Sequence, residues 1–120
     1  MTRSALMLIS FLLLAGCHRE AKLRDQIAGT WMRDEAYEIT FASDGSFVSR
    51  ISRPTQHLTY QGVWKVDASD IVYTVTNCIA QDTTNFQAIG SVDRLAIVRI
   101  DHSDLVWSNT GQRIELKRKK

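Results

Sequence analysis

No stretch of this chain is apolar for long enough to cross a bilayer as a helix. The longest apolar run, Ala5 to Gly16, holds about a dozen residues, against the roughly 20 that the hydrocarbon layer requires. Charge of one sign is lacking as well. Lys and Arg number 15 against 13 Asp and Glu, a balance that argues against nucleic acid as a partner. Cysteine is scarce, with two in 120 residues and no Cys-x-x-Cys. The three histidines (His18, His57, His102) are scattered, so no zinc site is implied. Missing too are a Gly-x-Ser-x-Gly elbow, a His-x-x-x-His pair and a phosphate-cradling glycine loop. These absences point away from an enzyme and call for no cofactor. Asp101-His102-Ser103-Asp104 holds the letters of a catalytic triad, but neighbours in one short turn cannot set nucleophile, base and orienting acid in line. Turn chemistry accounts for those residues. The single proline, Pro54, falls between strand-like segments, where its missing N–H costs no ladder bond.

What is present begins with an address. Met1-Thr2-Arg3 is a short positive segment, the apolar run follows, and Ala15 and Gly16 are small, which is the architecture of a bacterial export signal. Leu14-Ala15-Gly16-Cys17 resembles the lipobox of bacterial lipoproteins. The resemblance implies cleavage between Gly16 and Cys17, a diacylglycerol on the Cys17 thiol, and the membrane as a partner through that anchor. Two or three acyl chains make such attachment stable where one is marginal. His18, rather than Asp, follows the anchor, which by the same resemblance favours the outer membrane, facing the periplasm, in a Gram-negative host. The alternatives are an ordinary signal with an incidental cysteine, or a buried N-terminal segment.

Removing residues 1–16 leaves 104 residues, one domain's worth, with 14 basic against 13 acidic side chains. Cys78 is then a lone thiol, either buried and inert or open to an intermolecular bond. The basic tail, Lys117-Arg118-Lys119-Lys120, either rests on anionic head groups or is a solvated end; contact would contribute about 1 kcal/mol per basic residue.

Residues 17–28 read as the lipidated cysteine and a short tether, with Leu23 and Ile27 at helical spacing and a stop near Gly29. From there the pattern has period two. Tyr37, Ile39 and Phe41 share one face, Phe47 and Ile51 another, and an Asp-Gly turn joins the two segments. Tyr60, Gly62, Trp64 and Val66 alternate in line, as do Ile71, Tyr73 and Val75. With "GTWMR", "DRLAIVRI", "LVWSN" and "QRIELK" this makes about eight short strands of roughly five to eight residues. The expectation is an all-β, antiparallel up-and-down meander over 29–117, with a short N-terminal helix and a tail at 118–120. A barrel or a strongly bent sheet would close its edges.

Gly29-Thr30-Trp31, at the entry to the first strand, resembles the Gly-x-Trp signature of lipocalins, and "EITFASDGSFVSR" and "YQGVWKVDASDIVYTVT" resemble the strand-turn pattern of small bacterial lipocalin-like lipoproteins. The resemblance implies a barrel in which Trp31 packs across the floor and Arg113 lies over it, worth about 0.5–2 kcal/mol. It also implies a small apolar ligand near Trp31, Phe41 and Trp64. The family's Thr-Asp-Tyr motif is absent. Size argues the other way: eight strands enclose little more than their own side chains, and the chain's large aromatic residues would fill so short a barrel to ordinary density. A solid interior moves attention to the rim. "CIAQDTTNFQAIGSV", residues 78–92, is longer than a hairpin needs, and Asp82, Asn85 and Phe86 are candidates for a partner-binding loop. "SRPTQHLTY" is a second open segment. Two further functions stay open. One is a partner-binding protein resembling lysozyme-inhibitor lipoproteins, although Cys78 is unpaired and Gly90-Ser91 reverses their loop order. The other is a structural envelope protein.

Overall fold

A computed structural model describes residues 19–54, 56–81 and 89–120. Gly16, Cys17, Asp82, Asn85 and Phe86 lie outside the described residues. A helix, α1, covers residues 19–27. Eight strands follow: β1 (Gly29–Asp34), β2 (Tyr37–Phe41), β3 (Ser46–Arg53), β4 (Gln56–Asp67), β5 (Asp70–Gln81), β6 (Val92–Ile100), β7 (Asp104–Asn109) and β8 (Gln112–Arg118). They pair in sequence order, all antiparallel, and β8 returns to β1, so the sheet is a closed barrel.

Alternation explains which side chains point inward. On β2, Ile39 and Phe41 are buried while Glu38 and Thr40 face out; on β3, Phe47 and Ser49 are buried and Arg50 is exposed. The same parity sends Trp64, Ile71, Val75, Leu95, Leu105, Trp107 and Leu116 into one core. Turns follow local chemistry. The Asp44 carboxylate accepts from the Ser46 amide at 2.9 Å and hydroxyl at 2.7 Å in the predicted Asp-Gly turn. Asp101 does the same for Ser103 and Asp104, at 2.9 and 2.8 Å, and those amide bonds hold its carboxyl below the usual carboxylate range.

Three expectations need correction. β4 and β5 have 12 residues each, longer than the five to eight foreseen. Residues 78–81 do not belong to the irregular 78–92 stretch: Cys78 pairs with Tyr60, and the ladder runs on to Gln81. "SRPTQHLTY" is not an open segment, because Ser52 pairs with His57 and Arg53 with Gln56 in a tight β3–β4 hairpin. The physical reason is common to all three. A neighbouring strand supplies the hydrogen-bond partners that let a polar stretch remain extended.

The β2–β3, β4–β5 and β6–β7 turns, α1 and the chain's end lie at one end of the barrel, here the floor. The β1–β2, β3–β4 and β7–β8 hairpins lie at the other, the mouth.

Candidate functional site

The floor is closed by α1. Ile27 is fully buried, and the Trp31 indole Nε1 donates to the Ile27 carbonyl at 2.8 Å. Over the Trp31 ring lies a guanidinium, 4.2 Å from its centroid, but it belongs to Arg118. The expected Arg113 is exposed and pairs with Ser108 on the barrel's outside. Parity is the reason: Ile114, Leu116 and Arg118 share the inward face of β8, and Arg113 belongs to the outward set. Arg118 therefore ends a strand instead of opening a frayed tail. It also donates to three carbonyls, those of Gln26, Ala28 and His102, at 2.8, 3.2 and 2.9 Å. Gly29 has φ +135, and a Cβ there would sit 2.5 Å from Arg118 Nη1. The Gly-x-Trp pattern thus leaves room for the arginine that covers the indole.

Phe41 and Trp64 complete the floor. Their ring centroids are 5.1 Å apart, the Trp64 Nε1 donates to the Ala42 carbonyl at 2.8 Å, and Arg24 lies 5.5 Å from the indole. Trp31 and Phe41 are wholly buried and Trp64 nearly so. These residues serve as barrel floor and leave no ligand space among themselves.

Space appears at the mouth, where a solid interior was expected. A cavity of about 120 Å³ is walled by Leu95, Trp107 and Ile114 and rimmed by Arg33, Tyr37, Tyr73 and Asn109. It lies beside the β1–β8 seam, whose paired register is only Trp31↔Arg118 and Met32↔Lys117. The register of β1 shifts between Met32 and Asp34, which makes Arg33 the residue that a bulge re-aims. Arg33 is exposed and has no carboxylate partner among the described residues. The Tyr73 hydroxyl donates to Asp93 at 2.7 Å, and its ring meets Phe47 edge-on at 4.9 Å.

Burial pushes the Tyr73 phenol far above its ordinary value, and the hydrogen bond to Asp93 adds to it. Burial raises Tyr37 as well, with a hydrogen bond from Ser49 and the Arg33 charge pulling the other way. The linkage has one sign. Above about pH 10, the ordinary phenol value, the unfolded chain releases protons that the folded chain keeps. The stabilisation from these phenols is complete below that pH and is lost as pH rises through the raised values. Phenolate absorbance should show delayed titration of Tyr37 and Tyr73, with their ionisation coincident with alkaline unfolding. Ordinary titration of these two in the folded protein would contradict the burial.

Cys78 is half-buried on β5, and burial raises its thiol. Among the described residues no three His, Cys, Asp or Glu side chains gather as a metal site. The mouth instead combines an apolar wall with a few convergent polar groups, the usual composition of a small-molecule site.

No protein-family model and no curated protein matches the chain. Solved structures do. A lipocalin-like protein from Bacteroides uniformis superposes with TM-score 0.61 at 12% identity, covering 78% of this chain and 99% of that one. An uncharacterized protein from Bacteroides eggerthii gives TM-score 0.61 at 10% identity, with the same coverage. A lipocalin-like protein from Bacteroides thetaiotaomicron gives 0.55 at 24% identity, covering 78% and 97%. At these identities the likeness is one of fold: this chain forms a lipocalin-like barrel.

Proposed function

We propose that this chain is an exported lipoprotein of the cell envelope, acylated on Cys17 and sorted to the outer membrane, whose barrel mouth binds one small amphipathic molecule. The cavity at the mouth carries the reading. Its volume of about 120 Å³ is a little below that of a dry engineered cavity of about 150 Å³ that admits benzene. A single ring or the end of a short acyl chain fits; a whole lipid does not. Leu95, Trp107 and Ile114 receive the apolar part, while Arg33 and Asn109 meet a polar or anionic group at the rim.

Native mass spectrometry tests this on the Cys17→Ser mature chain purified from the periplasm. A reproducible mass excess is expected, and Ile114→Trp, which fills the cavity, is expected to abolish it. A bare protein mass, together with unchanged tryptophan fluorescence across a panel of small carboxylates and short-chain amphiphiles, would reject the ligand. Labelling with a palmitate analogue reads the anchor separately: it should mark the full chain and not Cys17→Ser.

A second reading is a partner-binding or inhibitor lipoprotein acting through the rim. Its support is the ten-residue connection between Gln81 and Val92, longer than a hairpin needs.

A further inference from the structure

We infer that the anchor holds the barrel floor against the membrane and points the mouth away from it, so that the mouth cavity exchanges with the aqueous phase and not with the bilayer. The inference rests on the acylation of Cys17 proposed above.

The argument is one of tether length and rigidity. Between Cys17 and Arg19, where α1 begins, there is one intervening residue, a reach of about 7 Å even when fully extended. Nothing hinges beyond that point, because α1 is clamped to the floor along its length. Glu20 accepts from the Ala68 amide in the β4–β5 turn at 3.3 Å. Arg24 donates to the Ser43 carbonyl in the β2–β3 turn at 3.1 Å and covers Trp64. The helix's last turn is held by Arg118 through the Gln26 and Ala28 carbonyls, and Ile27 is sunk in the core. Strands, turns and helix therefore move with the anchor as one body.

The C-terminus agrees. Arg118 and Lys119 donate backbone bonds to Ser103 and Thr30, both at the floor end, so the chain leaves the barrel beside α1. Arg19, Lys22 and Lys120 are exposed there, available to lipid phosphates. The opposite end lies farther from the bilayer. β1 runs from the floor to the rim beside the cavity in six residues, which puts that rim roughly 15 Å above the floor once strand tilt is allowed for, with α1 on the floor's outer side. A ligand that fits the cavity must then arrive as a water-soluble molecule.

The test supplies the lipid chemically, so it does not depend on acylation in the cell. Mature chain carrying Cys78→Ser is coupled through Cys17 to a thiol-reactive phospholipid in phosphatidylethanolamine–phosphatidylglycerol vesicles. An azide-bearing residue placed at exposed Ser69 (floor) or Glu35 (mouth) carries a fluorophore, and nitroxide head groups quench it. Quenching at Ser69 at least threefold stronger than at Glu35 is expected. Equal quenching, or stronger quenching at Glu35, would overturn the orientation. Failure of the palmitate label in cells, with the quenching asymmetry intact, would reject natural acylation alone.

Discussion

Gly62→Ala is expected to destabilise the domain by about 3 kcal/mol or more, at the upper end of what overpacking a core costs. A Cβ at Gly62 would stand 1.9 Å from the Thr74 carbonyl oxygen and 2.7 Å from Phe47 Cε1. The first neighbour is backbone and cannot rotate aside. The cause is the irregularity between β4 and β5, where Gln61 pairs with Asn77 but Gly62 pairs with Val75. The extra residue, Thr76, drives the β5 backbone onto β4. Phe47, paired with Gly62 on the other side, lays its ring over the space a side chain would take, and Tyr73 packs against that ring. Relief would require shifting both, and with them the wall of the mouth cavity. Urea unfolding should show a clear drop in midpoint at unchanged slope. Val63→Ala, one residue along and 53% exposed, should stay within about 0.5 kcal/mol. A Gly62→Ala midpoint equal to that of Val63→Ala would show that the two strands are not in this register.

Trp31→Ala should cost about 3–5 kcal/mol, the range for removing a large buried aromatic side chain. For a domain whose total stability lies near 5–15 kcal/mol, that is a large share. The loss has named parts: a fully buried ring, the bond from Nε1 to Ile27, and the surface under the Arg118 guanidinium. Trp31→Leu combined with Arg118→Ala in a double-mutant cycle should give a coupling of about 0.5–2 kcal/mol. Arg118→Lys should rescue little, since an ammonium cannot reach three carbonyls while lying flat on an indole. Arg113→Ala should fall within about 0.5 kcal/mol. Thermal unfolding of these variants decides it. A greater loss at Arg113 than at Arg118 would assign the floor cation to the wrong residue.

These variants also mark where local reading reaches its limit. The face that holds Tyr37, Ile39 and Phe41 was legible because alternation is a property of consecutive residues. The same rule gives Arg118 the inward parity of Ile114 and Leu116, but parity alone does not say which inward side chain meets Trp31. The lengths of β4 and β5 were not legible. Polar stretches such as "TQH" and "NCIAQ" extend only because a neighbouring strand offers partners. The mouth cavity was hidden for a different reason. Summed side-chain volume fills the barrel on average, yet it cannot say that Trp31, Phe41 and Trp64 pack at the floor while Leu95, Trp107 and Ile114 face space at the mouth.

From the order of its residues alone, this chain determined its strand faces, its Asp-Gly and Asp101–Asp104 turns and its Gly-Thr-Trp floor motif, because each depends on neighbours within a few positions. Only the tertiary structure decided which arginine covers Trp31, why Gly62 must lack a side chain, and where the barrel is open. Each of those is settled by atoms that are remote in sequence, brought together by a register that closes only when all eight strands are in place.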